Sequence, residues 1–280
     1  MIQVLHSGIY SSIQDSGRVG FSKFGVPPNG AMDMYSYQLG NSLLKNPKSA
    51  ASIEITFGGA KFSFLKDTII CISGANFSPK INEKLVDMNT ILKLKKGNVL
   101  SFGKRKYGIR TYVSVLGGFK TEEKLKSRSY YKGITQKYRL EKGDILFFSE
   151  PKPHKNIGFS EFKSIEYLFF EEELQCYPGP EYDLLTSEQK EKLKQEFTIS
   201  GDNNRVGYRL EEPLENTIKP ILTSGVLPGT VQLTPSGKLI VLMKDCQVTG
   251  GYPRVLQLSS FAISQLSQKM SGQKIRFSLK

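Results

Sequence analysis

The chain has 280 residues, more than one ordinary domain of roughly 150 residues requires and enough to bury a sizeable core. Its 39% hydrophobic content, with 17 Phe and 13 Tyr, excludes a disordered chain. The formal net charge of +13 raises the question of nucleic acid. The lysines are scattered (Lys93, Lys95, Lys96, Lys104, Lys106; Lys190, Lys192, Lys194), acidic residues interrupt many of the runs, and no nucleic-acid-binding signature occurs, so a solvated surface is expected and no nucleic-acid partner.

From the N-terminus, MIQVLHSGIYSSIQ has no basic stretch ahead of an apolar one, so no signal peptide is expected. No run of about 18 apolar residues occurs, which argues against a membrane-spanning helix. A cytoplasmic location with no membrane partner is the expectation. MDMYSYQLGNSLL, following Asn29 and Gly30, has apolar residues at helical spacing and predicts a helix. KFSFLKDTIICISG, ILKLKKGNVLSFG and GIRTYVSVLGG are β-branched or aromatic runs bounded by Gly, Asn or Asp, and predict strands. SEPKPHKNIGFSEF, residues 149–162, is rich in Pro, Lys and Gly and reads as a linker. LLTSEQKEKLKQEF predicts a second helix capped by Thr186 or Ser187, and KLIVLMKD a further strand. The fold class is therefore mainly β, built as barrels or sandwiches with a few short helices, in subdomains 1–150 and 165–280.

An internal echo supports that division. DSGRVGF (15–21) and DNNRVGY (202–208) share D-x-x-R-V-G-aromatic, with Arg18 and Arg205 in corresponding places. Gly25-Val26-Pro27-Pro28 follows the first copy and Gly225-Val226-Leu227-Pro228 the second. The expectation is a duplicated β-rich unit.

Absences narrow the chemistry. His6 and His154 are the only histidines, which excludes a multi-histidine metal site, and Cys71, Cys176 and Cys246 lie far apart with no CxxC. No metal site is expected, and the cysteines are expected to be small buried residues in a reducing compartment. GxSxG, GxGxxG and GxxxxGK[ST] are all missing. Met243-Lys244-Asp245 resembles in part the Met-Lys-Met site of biotin carrier domains but lacks the second Met, so any biotin used must be carried by a partner protein.

Four segments carry positive signals: IQDSGRVGFSKFGVPPNGAMD, DNNRVGYRLE, SGVLPGTVQLTPSGKLIVLMKD and TGGYPR. Each joins turn-forming Gly or Pro to charged residues. Glycine lets backbone N–H groups approach an anion, and Arg offers a planar fork for a carboxylate or ureido oxygen. Asp15, Asp33, Asp202 and Asp245 can orient the arginines or accept a proton. The same segments also suit plain β-turns and caps.

These segments resemble the family of the 5-oxoprolinase C subunit, also called allophanate hydrolase subunit 2 or KipA, which is similar to the carboxyltransferase part of urea amidolyase. The matching residues are Gln14, Asp15, Gly17, Arg18 and Gly20; Gly25, Val26, Pro27, Gly30, Ala31, Met32 and Asp33; Glu54 and Thr56; Ser127-Arg128-Ser129; Arg205, Gly207, Tyr208, Arg209 and Leu210; Gly225, Pro228, Gly229 and Gln232; and Thr249 to Pro253. They run in the family's order from about residue 2 to 277. Departures are Ser12, Asn29 and Val248, and a shortened stretch after Tyr130.

The resemblance implies cyclophilin-like β-barrels and a biotin-dependent carboxyltransferase-like site. It implies a part in the 5-oxoprolinase complex that opens 5-oxo-L-proline to L-glutamate with ATP hydrolysis, together with the A and B subunits, of which the KipI-like B subunit is the most direct partner. The substrate is then a small amide. Two alternatives stay open: the carboxyltransferase component of a urea carboxylase and allophanate pathway, and a non-catalytic regulator that binds a kinase-inhibitor protein. The expected catalytic residues are Arg205, Asp245 and Arg209, with Gln232, Thr249, Gly250, Gly251, Tyr252 and Pro253 binding substrate in one pocket. Gln14, Asp15, Arg18 and Asp33 form a second candidate cluster. Arg205 and Asp245 also fit a structural ion pair that pins two turns together.

Overall fold

The computed structural model describes residues 1–149 and 166–280. His154 and the linker-like stretch beyond Ser149 lie outside them. Two compact units account for the chain: Met1–Arg18 with Asp33–Phe169, and Val19–Met32 with Phe170–Lys280.

The first unit holds β1 (Ile2–Ser7), β2 (Tyr10–Gln14), α1 (Met34–Leu43), β3 (Ser52–Thr56), β4 (Ala60–Phe64), β5 (Thr68–Asn76), β6 (Lys80–Ile81), β7 (Lys84–Leu85), β8 (Ile91–Leu94), β9 (Val99–Ser101), β10 (Tyr107–Val115) and β11 (Ile145–Leu146). One sheet runs β11-β1-β4-β9-β6-β7 and the other β2-β3-β10-β5-β8. β10 lies between β3 and β5 and is buried along its whole length, which is why YGIRTYVSV has no exposed polar face. Ile53, Ile55, Phe62, Phe64, Ile72 and Val113 belong to the core of this unit. The predicted helix over MDMYSYQLGNSLL forms as α1. Asp33 caps it through an Oδ1 that accepts the Ser36 N–H at 2.9 Å. Gly40 lets α1 approach the sheet: a Cβ there would stand 2.9 Å from the hydroxyls of Ser73 and Ser114.

After the single turn α2 (Tyr167–Phe170), the second unit holds β12 (Glu173–Pro178), α3 (Ser187–Lys192), β13 (Glu196–Asn203), β14 (Gly207–Leu210), β15 (Ser224–Gly225), β16 (Thr230–Leu233), β17 (Leu239–Leu242), β18 (Thr249–Gly250), β19 (Arg254–Leu258), α4 (Ser260–Ser267) and β20 (Lys274–Leu279). β12-β19-β16-β17-β14-β13-β20 close into a barrel, sealed by the parallel pair β12 and β20, and β15 with β18 forms a separate ribbon. The mainly β expectation holds. Met32, from the early segment Val19–Met32, is fully buried in this unit's core with Leu174, Phe197, Val231 and Leu266. The second predicted helix is shorter than its charged sequence suggests. It is α3, capped by Thr186 in a capping box with Gln189.

The two copies of the sequence echo each fall in a turn that follows a strand. Arg18 follows β2 in a loop, whereas Arg205 sits in the turn between β13 and β14. Asp15 accepts hydrogen bonds from Gly17 and from residues Ser127 to Ser129, while Asp202 pairs with Arg209. Two similar turns arise from the same demand for tight backbone and a local acceptor.

Candidate functional site

The second unit gathers the expected site residues into two groups joined by one loop. The β13–β14 turn carries Arg205, and the loop after β17 carries Asp245. Arg205 donates to Asp245 through Nε at 2.7 Å and Nη2 at 3.0 Å, and through Nη2 to the Gly30 carbonyl at 2.7 Å. The Asp245 N–H donates in return to the Arg205 carbonyl at 2.9 Å. Asn29 completes the arrangement, giving Nδ2 to Asp245 Oδ1 at 2.9 Å and its backbone N–H to the Lys244 carbonyl at 3.0 Å. Both charged side chains are nearly buried. This is a clamp on three chain segments, the arrangement the structural ion-pair reading expects. Arg209 stands outside it, on β14, partly exposed and bound to Asp202 at 3.3 Å.

The second group lies on the outside of the barrel wall. Along β16, Val231 and Leu233 enter the core, so alternation turns Thr230 and Gln232 outward. Gln232 is nonetheless 1% exposed. The β15–β18 ribbon and the loop after β17 cover it: Gln247 Nε2 donates to Gln232 Oε1 at 3.4 Å, and Gln232 Nε2 faces the Cα of Gly250. That Nε2 is buried without a hydrogen-bond partner. The ribbon pairs Ser224 with Gly250 and Gly225 with Thr249, and the Ile221 N–H reaches the Gly251 carbonyl at 3.0 Å. Thr249 and Tyr252 are exposed and Pro253 is buried. Asp245 and Gln247 occupy one short loop, so the clamp fixes the loop that covers Gln232.

Sequence reasoning missed three participants. Gln247 stands two places beyond Asp245, and its place in the same loop was the available signal. Asn29, named in the sequence only as a departure, supplies the amide that reaches Asp245. Glu181 has no such signal, because its partner is 73 positions away. Arg254 donates Nη2 and Nε to the two Glu181 oxygens at 2.7 and 2.9 Å, and Nη1 to the Gly225 carbonyl at 2.9 Å. The Arg254 hydrogen bonds hold the Glu181 carboxyl below the ordinary glutamate range.

The second candidate cluster lies in the first unit and is a knot. Asp15 Oδ1 accepts from the Gly17 N–H at 2.8 Å and from the Ser127 and Ser129 hydroxyls at 2.7 Å each. Its Oδ2 accepts the Arg128 N–H at 2.6 Å. Arg18 donates to the Ser129 carbonyl at 2.5 Å, and Gln14 to Ser12 Oγ at 3.0 Å and the Tyr130 carbonyl at 3.4 Å. Asp33 stands apart as the cap of α1, its own N–H donating to Tyr112 Oη at 2.8 Å, while that hydroxyl donates to the buried Glu54 at 2.7 Å. Burial and the two nearby carboxylates push the Tyr112 hydroxyl far up, so it stays protonated. All three cysteines are buried and free, each pushed up to about 12 by burial. Among the described residues no helix is long and apolar enough to cross a membrane.

Comparison with known proteins places this architecture. The family profile "Carboxyltransferase domain, subdomain A and B" matches residues 24–279. The C subunit of 5-oxoprolinase from Escherichia coli (strain K12) is 31% identical over 284 aligned residues, covering 99% of this chain and 90% of the relative. Urea amidolyase of Lachancea kluyveri is 38% identical over 155 residues, which is 54% of this chain and 8% of that protein. The solved structure of Kluyveromyces lactis urea amidolyase superposes with a TM-score of 0.86 at 26% identity, covering 99% of this chain and 18% of that one. The chain belongs to the carboxyltransferase domain family with subdomains A and B.

Proposed function

We propose that this chain is the C subunit of a 5-oxoprolinase complex, which opens 5-oxo-L-proline to L-glutamate with ATP hydrolysis. The observation that carries this reading is the near end-to-end correspondence with the Escherichia coli C subunit, across 90% of its length. The likeness to urea amidolyase, at 8% of that protein, supports the second reading: one component of a urea-carboxylating enzyme.

Both substrates present a planar amide, and attack on either develops negative charge on its carbonyl oxygen. A donor fixed in a site from which water is excluded stabilises that charge at no reorganisation cost. Gln232 Nε2 meets that requirement, because it is buried, held by its own strand and unpartnered. Tyr252, exposed beside Gly250 and Gly251, offers a face to cover a flat ring. The Arg205–Asp245 pair, held by Asn29 and Gly30, is a positioning device for the loop over Gln232. Biotin carried by a partner, if the complex uses it, would supply a transferable carboxyl group; the ureido carbonyl of biotin suits the same donor. ATP is used by the complex, with the A and B subunits as partners in the cytoplasm and the KipI-like B subunit in most direct contact.

Co-expression with the products of neighbouring genes tests the proposal. ATP-dependent release of glutamate from 5-oxoproline by the assembled complex, and none by the isolated chain, is the expected result. Robust turnover by the isolated chain, or a complex that consumes urea and leaves 5-oxoproline intact, overturns it. A complex that assembles without turning over either amide points to the regulator instead.

A further inference from the structure

We propose that a cavity in the first unit binds a free α-amino acid with an apolar side chain, held as its zwitterion. The site is independent of which amide the complex turns over.

Three short stretches, 120–122, 136–137 and 144–147, enclose the cavity together with Tyr130. Hydrogen bonds join them: the Lys120 N–H donates to the Phe147 carbonyl at 2.7 Å, the Gln136 N–H to Glu122 Oε2 at 3.0 Å, and Lys137 Nζ to Asp144 Oδ1. The enclosed volume is about 280 Å³, the scale of a site for a small molecule.

Four observations carry the assignment. First, a tyrosine stands where phenylalanine would serve the core. Tyr130 is 7% exposed and packs in the core of this unit. Its hydroxyl makes no hydrogen bond among the described residues. Burying a hydroxyl without a partner carries a cost that phenylalanine would avoid. Second, the wall around that hydroxyl is negative. Asp144 and Glu122 add to burial in pushing the phenol up to about 12, so it stays neutral. Asp144 accepts from Lys137 and the Glu141 N–H, and Glu122 from Lys124 and the Gln136 N–H. Those contacts fix both carboxylates and leave lone pairs open. A ligand ammonium fits there, donating to the carboxylates and to the phenol oxygen. Third, one cation on the wall is uncommitted. Lys124 and Lys137 are paired, whereas Lys120 has no ion pair among the described residues and is available to a carboxylate. Fourth, the wall has an apolar part. Ile145 and Phe147 line the cavity and are 39% and 55% exposed, so an aliphatic side chain would cover them.

Both signs of charge and an apolar surface in one small cavity select a ligand that carries all three. An acidic amino acid would set its second carboxylate against Glu122 and Asp144. An amine or an acid alone would use half of the wall.

L-leucine is the probe. Calorimetry on the full chain, with the melting temperature read in parallel, compares it with L-glutamate, with 4-methylpentanoate, which lacks the amino group, and with 3-methylbutylamine, which lacks the carboxylate. Saturable binding of leucine, about tenfold or more tighter than that of the three controls, is expected, together with a raised melting temperature. Tyr130→Phe should weaken it about tenfold while leaving the melting temperature of the free chain unchanged or higher. Lys120→Met should weaken it similarly, and because Lys120 is exposed this variant decides the matter if Tyr130→Phe fails to fold. No saturable binding of leucine, unchanged binding in either folded variant, or binding of any control as tight as that of leucine overturns the site.

Discussion

Four donors converge on the carboxylate of Asp15, and none of them is its near neighbour in sequence except Gly17. Asp15→Ala strands two buried hydroxyls and two backbone N–H groups. A loss of about 3 kcal/mol or more is expected in urea unfolding, since each buried polar group left unsatisfied costs about 1–3 kcal/mol. Asp15→Asn, which keeps one acceptor oxygen, should recover part of it. For the Arg205–Asp245 clamp, Arg205→Ala leaves a buried carboxylate uncompensated, and about 3–5 kcal/mol is the usual scale of such a loss. Cys246, next to Asp245 and 1% exposed, reports the event directly. Thiol labelling at Cys246 should be slow in the parent, where burial pushes the thiol up to about 12, and many-fold faster in Arg205→Ala well below its melting temperature. If labelling speeds up only with global unfolding, the clamp does not hold this loop. The sequence exposed Asp15, Arg18, Arg205 and Asp245 as residues of interest through their turn motifs. It could not separate knot from clamp from catalyst, because the partners lie 112 and 114 positions away in one case and 40 in the other.

Among elements, legibility followed local signals. α1 could be read because MYSYQLGNSL places apolar residues at helical spacing, and α3 because Thr186 or Ser187 suits an N-cap; the Asp33 cap and the Thr186–Gln189 capping box emerge in the structure. α4 escaped notice: six of its eight residues are buried, including Ser264, Gln265 and Ser267, so no polar stripe alternates with an apolar one. The β15–β18 ribbon escaped for another reason, since two residues per strand carry no periodicity. The Glu181–Arg254 pair anchors β19 and that ribbon together, and its pH dependence follows from the lowered Glu181 carboxyl. The folded state holds this group ionised to lower pH than the unfolded chain does. Its stabilisation is therefore complete above the ordinary glutamate value of about 4.3 and disappears as pH falls through the folded value. Glu181→Gln should cost about 2 kcal/mol at neutral pH and flatten the acid limb of a melting-temperature profile. A variant with an unchanged acid limb would assign that limb to other carboxylates.

At the scale of the whole molecule, a single cut near the linker misassigns one segment. Val19–Met32 belongs with the barrel unit, where Met32 enters the core and Asn29 and Gly30 complete the clamp. Turn chemistry is local, whereas allegiance to a core is decided by contacts far along the chain. A fragment of residues 170–280 should consequently melt early or without cooperativity by circular dichroism. Addition of a 19–32 peptide should restore part of the transition, and a fragment as stable as the parent barrel would contradict the assignment.

Synthesis feels the same allegiance. Residues 19–32 leave the ribosome before any strand of their barrel exists, and an entire β-rich unit is made before the barrel arrives. The early segment must remain unsettled, with Met32 exposed, until the last strands are made. In this chain the barrel nearest the C-terminus cannot finish folding on its own strands, and the interval before it does is when the nascent protein is most open to aggregation and to chaperones.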